Sequence, residues 1–127
     1  MLVNNAGVGY AGWFGKQDTA RLAAMVELNC VSLTLLTSLF TPGMLARKRG
    51  VVIMVSSVSA YQPLPTHAVY AASKAYVSTL SLALWEEMRD SNVHVLAVEP
   101  GTVVTEFATA AGQVFMLERT RVCLNDM

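Results

Sequence analysis

Tyr70 and Lys74 are the two residues whose types and spacing most directly suggest chemistry. They are four residues apart, so on a helix their side chains share one face and the ammonium can lie close to the phenol oxygen. A nearby cation favours the phenolate, which predicts a lowered pKa for Tyr70 and a role as general acid or base. The alternative is an ordinary surface pair, because tyrosine and lysine meet at this spacing in many helices.

Ser57 supplies a hydroxyl that can join this pair. It follows the apolar run Val51–Val55 and lies thirteen residues before Tyr70, so the connecting loop can fold back over the end of the predicted strand. Two hydroxyls on one substrate oxygen would hold that oxygen and transfer a proton to it. The alternative is that Ser56 and Ser57 only satisfy backbone groups where the strand ends.

Two other segments carry small residues directly after apolar runs. Asn4–Gly7 (Asn-Asn-Ala-Gly) follows Met1–Val3, and Pro100–Gly101 follows Val93–Val98. Small side chains and the conformational freedom of Gly7 would let a flat ligand approach the backbone closely. Both segments are also compatible with ordinary turns, in which asparagine and glycine are common.

The elements that position these residues follow from the hydrophobic periodicity, which alternates between two types. Val51–Val55 and Val93–Val98 are short β-branched runs typical of strands buried on both faces, and Met1–Val3 fits the tail of a third. Helical stretches between the strands predict right-handed crossovers and a parallel sheet. The carboxyl ends of the three strands then share one edge, where ligands bind in open parallel sheets.

Two long helices are predicted between these strands. The first is capped by Asp18, begins near Thr19 and ends before Gly50, with Pro42 kinking or interrupting it. The second extends from Val69 to Asp90 and is apolar over most of its surface, which predicts that two of its sides are covered.

Composition excludes several kinds of function. Nine basic residues balance nine acidic ones, so no net charge attracts nucleic acid. Cys30 and Cys123 lie far apart and outside any metal-binding spacing, which predicts reduced thiols and no metal. The N-terminus lacks the pattern of a signal peptide, so we expect a cytoplasmic protein. Leu28–Ala46 is uncharged but contains polar residues, proline and glycine, so we interpret it as a buried helix rather than a membrane span.

Taken together, the motifs resemble the short-chain dehydrogenase/reductase family. The likeness covers roughly residues 1–107 and implies an α/β fold, namely a partial Rossmann-like, doubly wound parallel sheet consisting of the central and C-terminal strands with flanking helices. The residues that carry it, in the order and spacing of that family, are Asn4, Asn5, Ala6, Gly7, Asn29, Ser57, Tyr70, Lys74, Pro100 and Gly101.

The resemblance also implies roles for these residues. Tyr70 would be the general acid/base, Ser57 would position the substrate oxygen, and Lys74 would lower the tyrosine pKa and hold the nicotinamide ribose. Asn29 would lie at a local helix distortion, where its backbone carbonyl holds a water that links Lys74 to solvent. The cofactor, NAD or NADP, would contact Asn5, Ala6, Gly7, Tyr70, Lys74, Pro100, Gly101, Val103 and Thr105.

The implied function is an oxidoreductase that interconverts a ketone or aldehyde and an alcohol. The segments expected to face the substrate, Val8–Phe14, Tyr61–Pro65 and His67, are more apolar than charged, which favours a hydrophobic carbonyl compound. By resemblance, the two long helices would form a homodimer or homotetramer. The alternative is a catalytically inactive, truncated remnant that acts, if at all, as a dimerisation partner.

The chain also departs from the family pattern at both ends. It is expected to begin at the fourth strand of the family order 3-2-1-4-5-6-7, without the glycine-rich segment that binds the pyrophosphate. Residues 1–127 would therefore form a single partial domain, in which 108–127 is a C-terminal segment without a clear counterpart in the family. Phe115–Arg121 would be a helix, or the segment Val114–Met127 would be the product of truncation, alternative splicing or a misread frame.

Overall fold

The strands of the sheet are ordered as they occur along the chain. The computed structural model describes residues 1–101 and 121–122. Strands β1 (Leu2–Asn4), β2 (Gly50–Val55) and β3 (Val93–Glu99) are parallel neighbours. The three predicted strands and the parallel α/β sheet are thus confirmed, and the carboxyl ends of the strands meet at one edge.

A short fourth strand, β4 (Arg121–Val122), pairs antiparallel with the end of β3. Arg121 lies opposite Glu99 and Val122 lies opposite Val98. The prediction of a helix that extends to Arg121 is therefore wrong at Arg121, because the backbone of this residue pairs with β3. The rest of the expected helical segment lies outside the described residues.

The first crossover begins as predicted. Helix α1 (Thr19–Val26) is capped by Asp18, whose carboxylate accepts a hydrogen bond of 2.8 Å from the backbone N–H of Arg21. This bond satisfies one of the donors that a helix leaves unpaired in its first turn. Further helical turns follow α1 directly and belong to the same crossover.

A π-helical segment (Glu27–Ser32) interrupts the α-helical geometry around Asn29, and helix α2 (Leu33–Ala46) follows it directly. The distortion expected at Asn29 is present. Pro42 lies inside α2, which continues to its end, so an interruption at Pro42 is wrong. Pro42 and Ser38 are both exposed, so the carbonyl that loses its helical donor can bond to water.

The second crossover helix, α3 (Ala68–Met88), confirms the second predicted helix within two residues at each end. α1 and the π-helical segment contact α3, so both crossovers cover the same face of the sheet. The core between the helices and the sheet contains Leu33, Met44, Val52, Met54, Val77, Met88, Val93 and Val95.

The strands are more fully buried on one face than on the other. In β2, the buried Val52 and Met54 alternate with the partly exposed Val51, Ile53 and Val55. The expectation of strands buried on both faces is therefore wrong for the part of the chain that the structure describes. The physical reason is that both crossover helices pack on the same side.

The first crossover also leaves a large apolar surface. The helical stretch Thr19–Ala46 is long and apolar enough to cross a membrane by length and composition, and only 22% of its most apolar window is buried. Core helices of soluble proteins satisfy the same criterion. The expected burial of this helix is thus limited to the side that faces the sheet and α3.

Candidate active site

Ser57 and Tyr70 meet at the carboxyl edge of the sheet. Ser57 follows β2 in extended conformation and is 7% exposed, while Tyr70 lies in the first turn of α3. The Ser57 hydroxyl lies close enough to the Tyr70 phenol for hydrogen bonding to lower the pKa of the phenol, and it accepts a bond of 3.2 Å from the backbone N–H of Ser59. The loop between β2 and α3 therefore brings together two hydroxyls that are thirteen residues apart, as predicted.

Lys74 follows one helical turn after Tyr70 and is buried. Its Nζ lies 5.9 Å from the centroid of the Tyr70 ring and donates a hydrogen bond of 2.9 Å to the backbone carbonyl of Val55. Burial lowers the pKa of the Lys74 ammonium, and the nearby Cys30 thiol opposes this effect. An ammonium has three donors, so the bond to Val55 leaves two for a ligand.

The pKa of Tyr70 differs from the sequence-based expectation. Burial raises it above its ordinary value, and the hydrogen bond from Ser57 lowers it in part. Burial of the phenol dominates, so the lowering that the pairing with Lys74 predicted is not seen. In this structure the phenol is thus stabilised as a proton donor.

Asn29 connects three segments through its side chain. Its Oδ1 accepts a bond of 2.9 Å from the Val8 backbone N–H, and its Nδ2 donates to the Val8 carbonyl at 2.9 Å and to the Ser73 hydroxyl at 3.0 Å. The residue is 2% exposed. The sequence did not indicate this bridging role of the amide, whereas the proposed water relay through the backbone carbonyl stays a prediction.

Gly7 brings the segment after β1 against this cluster. A Cβ atom at Gly7 would lie 3.3 Å from both Asn29 Oδ1 and Lys74 Nζ, so a larger residue would press on the two groups. Asn5 and Ala6 are exposed at the same strand end. The three predicted cofactor residues of this segment thus border the site, and Gly7 gives a ligand close access to the backbone.

The end of β3 closes the other side of the site. Pro100 and Gly101 are partly buried, and the Pro100 carbonyl accepts a bond of 3.2 Å from the backbone N–H of Val58, the residue after Ser57. Val103 and Thr105, predicted to contact the cofactor, lie outside the described residues. The described ends of β1, β2 and β3 therefore converge as the sequence predicted.

Two residues that follow the predicted strands have structural roles whose partners the sequence did not specify. The buried Ser56 donates a bond of 2.7 Å from its hydroxyl to the Lys74 carbonyl, which ties α3 to the end of β2. Asn4 donates from Nδ2 to the Thr37 hydroxyl at 2.9 Å, while its buried Oδ1 has no hydrogen-bond partner among the described residues. Their positions directly after apolar runs were the available signal.

These residues fit a nicotinamide dinucleotide. Small residues at two strand ends leave the backbone accessible. At Gly7, any side chain would place a Cβ atom in the space next to Asn29 and Lys74. The buried Lys74 ammonium offers donors for ribose hydroxyls, next to a phenol and a serine hydroxyl. The described residues contain no cluster of three or more His, Cys, Asp or Glu side chains that could hold a metal ion.

Comparison with known proteins agrees with this geometry. Residues 1–114 match the family model described as short chain dehydrogenase. A very-long-chain 3-oxoacyl-CoA reductase from Phaeosphaeria nodorum is 32% identical over 107 residues, which cover 83% of this chain and 31% of the relative. The chain thus spans about a third of the length of this curated relative.

Solved structures of the same fold superpose on the chain. The short-chain dehydrogenase from Sphingobium yanoikuyae in complex with NADPH has a TM-score of 0.85 and 32% identity, covering 89% of this chain and 44% of that one. The bulky-bulky ketone specific alcohol dehydrogenase from Comamonas testosteroni has a TM-score of 0.78 and 30% identity, covering 81% and 41%. These structures confirm the Rossmann-like fold.

Proposed function

The chain belongs to the short chain dehydrogenase family, and from this we propose that it carries the proton-transfer side of an NAD(P)-dependent oxidoreductase site. The reaction would interconvert a ketone or aldehyde and an alcohol. The observation that carries the proposal is the placement of the Ser57 hydroxyl next to the Tyr70 phenol, which itself lies one turn before the buried Lys74.

In reduction, Tyr70 donates its phenol proton to the substrate oxygen while Ser57 donates a hydrogen bond to the same oxygen. The raised pKa of Tyr70 suits this direction, because it keeps the phenol protonated at neutral pH. When bound, the nicotinamide supplies or accepts the hydride.

Gly7, Lys74 and Pro100–Gly101 would hold the cofactor. The Sphingobium protein is described as a complex with NADPH, which supports a nicotinamide cofactor here. Lys74 would donate to the nicotinamide ribose, while Asn5, Ala6 and Gly7 would border the adenosine side. Whether NAD or NADP is preferred is a question for titration with both.

A hydrophobic carbonyl compound is the substrate class that we propose. Trp13, Phe14 and Tyr61 are exposed aromatic residues in the segments expected to face the substrate. The Gly12 N–H donates a hydrogen bond of 2.8 Å to the Thr66 carbonyl, which joins the segment around Phe14 to the loop that carries Tyr61. The names of the two relatives reported above, a 3-oxoacyl-CoA reductase and an alcohol dehydrogenase for bulky ketones, support this class.

Fluorescence titration of the folded chain with NADH and NADPH tests cofactor binding, and reduction of aryl and long-chain alkyl ketones tests activity. The Tyr70→Phe variant should lose at least about 100-fold in kcat, the scale of a lost general acid. Tyr76→Phe, on the same helix but bonded to Thr34, is the matched control. Absence of cofactor binding by folded protein, or undiminished turnover in Tyr70→Phe, would refute the proposal.

The exposed apolar face of α2 supports self-association as part of the same proposal. Leu35 and Leu39 are 64% and 73% exposed, Leu36 and Phe40 lie beside them, and Leu82 of α3 is also exposed. A second copy covering this face would remove these apolar side chains from water. We therefore propose a homodimer or homotetramer through α2 and α3.

Analytical ultracentrifugation across a range of protein concentrations tests this assembly. Leu39→Glu should produce a monomer because it places a charge in the apolar patch, whereas Lys16→Glu, on an exposed turn away from α2, should not. A monomeric wild-type chain, or one that partitions into vesicles instead of associating, would contradict the assembly. Association without cofactor binding would favour the alternative of a catalytically inactive dimerisation partner.

A further inference from the structure

Glu99 is a buried carboxylate that the proton-transfer scheme does not use. It is the last residue of β3 and is 2% exposed. Its Oε1 accepts a hydrogen bond of 2.6 Å from the Ser78 hydroxyl, and its Oε2 accepts one from the Tyr61 hydroxyl. Burial of a carboxylate is costly unless such donors compensate it, so this position calls for a specific role.

Tyr61 lies at the end of the turn that begins next to the candidate active site. The 3₁₀ turn Val58–Tyr61 follows Ser57 directly, and the Tyr61 side chain is 61% exposed although its hydroxyl is bonded to Glu99. The ring therefore lies at the surface with its outer end fixed. Tyr61 belongs to the segment expected to face the substrate.

The same end of β3 holds both ends of this turn. At the start of the turn, the Val58 N–H donates a hydrogen bond of 3.2 Å to the Pro100 carbonyl. At its end, the Tyr61 hydroxyl donates a hydrogen bond to the Glu99 carboxylate. Within the turn, the Ala60 N–H donates a hydrogen bond of 3.0 Å to the Ser57 carbonyl. Loss of the Tyr61 bond would free one end of a segment whose other end carries Ser57.

Ser78 belongs to α3, so its bond to Glu99 joins the carboxylate directly to the helix that carries Tyr70 and Lys74. Its hydroxyl lies 2.7 Å from that of Ser56, which donates to the Lys74 carbonyl at 2.7 Å. Glu99 is thus connected by hydrogen bonds to the turn after Ser57 and to the helix that carries Tyr70 and Lys74. The rigid elements on both sides limit how far the carboxylate can move.

We propose that Glu99 is a positioning residue for the substrate. It fixes the Tyr61 ring and the Val58–Tyr61 turn so that the ring forms a rigid apolar wall beside the oxygen-binding hydroxyl of Ser57. A fixed wall avoids the conformational entropy that binding would otherwise remove from a free tyrosine and a loose turn. The nature of the ligand, a hydrophobic carbonyl compound, rests on the proposed function.

Three variants of the full chain test the proposal. Tyr61→Phe keeps the ring at an exposed position and removes only the hydroxyl, so it should fold normally. Glu99→Gln keeps the shape of the buried side chain but replaces one acceptor oxygen by a donor group. Glu87→Gln, which makes the same chemical change at an exposed site of α3, is the matched control.

Amide hydrogen exchange of Val58 and Ala60 measures the order of the turn without any substrate. We expect exchange in Tyr61→Phe and Glu99→Gln to be at least about tenfold faster than in wild type, given the strength of a hydrogen bond to a charged group. Amides in β2 and β3 should be unaffected. The double variant should be no worse than Tyr61→Phe alone, because without the Tyr61 hydroxyl Glu99→Gln has no bond to this residue left to weaken.

Steady-state kinetics with a bulky ketone provides the functional measurement. We expect KM to rise about five- to tenfold in both variants with kcat within about twofold, the pattern of lost substrate binding without lost chemistry. The KM for the cofactor should stay at its wild-type value, as should all constants of Glu87→Gln.

The outcomes separate this proposal from the proposed function. Unchanged exchange at Val58 and Ala60 in both variants would overturn the positioning role, whatever the activity. A kcat loss equal to the loss in kcat/KM, with unchanged KM, would also overturn it. If the wild-type chain binds no cofactor and shows no turnover, the proposed function fails while the exchange result still decides whether Glu99 holds the turn.

Discussion

Replacement of Asn29 by alanine should be one of the most destabilising single changes at the site. The amide makes three hydrogen bonds, two to the Val8 backbone and one to Ser73, in an environment that leaves the residue 2% exposed. Asn29→Ala removes all three and leaves both Val8 backbone groups without these partners. The π-helical segment and the strand that follows Met1 would then lose their direct connection.

The magnitude follows from the bond count. A net contribution of about 1 kcal/mol for each hydrogen bond predicts that the free energy of unfolding falls by about 3 kcal/mol. Val8 is partly exposed, so water can replace some of the lost partners and keep the cost near this sum. Alanine is the better helix former by roughly 0.5 kcal/mol, so helix propensity acts in the opposite direction and cannot explain a loss.

Urea unfolding followed by circular dichroism measures the effect, with Asn5→Ala as the control at an exposed position of the same strand end. Ser73→Ala in a double-mutant cycle with Asn29→Ala isolates the single bond between the two side chains. A loss below about 1 kcal/mol in Asn29→Ala would refute the reasoning, because one net hydrogen bond accounts for that much.

Two further predictions concern packing and charge. Gly50→Ala should destabilise the fold by about 1–3 kcal/mol in urea unfolding, because the new Cβ would lie 2.7 Å from Met44 Cβ. Gly15→Ala, which has open space around it, should not lower the stability. Equal stability of both variants would contradict the close packing of Gly50 against Met44. Burial lowers the pKa of Lys74, so its protonation opposes folding below the unfolded value, and this cost disappears as pH rises toward it. Lys74→Met should therefore be at least as stable as wild type at pH ~7, with the gap closing near pH ~10; a variant clearly less stable at neutral pH would show that the bond to Val55 outweighs the cost of burial.

The order of elements could be predicted because each carries a local signal. The apolar runs before Asn4, Ser56 and Pro100 form the three parallel strands, and Asp18 caps the first helix as its position indicated. The effect of Pro42 was not predictable in this way, since the penalty for proline depends on whether the carbonyl one turn earlier faces water.

The electrostatics of the site could not be predicted from spacing. Tyr70 and Lys74 do share a helix face, but the pKa of Tyr70 is raised by burial. The Lys74 ammonium bonds to the Val55 carbonyl on another element, which the i to i+4 spacing does not reveal. Burial depends on every neighbour in space, and a sequence pattern reports only neighbours along one helix.

By itself, the sequence determined the α/β class, the convergence of three strand ends, and the presence of Ser57, Tyr70 and Lys74 there. Those features depend on local periodicity and on the rule that parallel strands end at one edge. Only the tertiary structure decided that Asn29 bridges Val8 and Ser73, and that Glu99 holds Tyr61. Such bonds join residues at least 21 positions apart, and their formation depends on how the helices pack on the sheet.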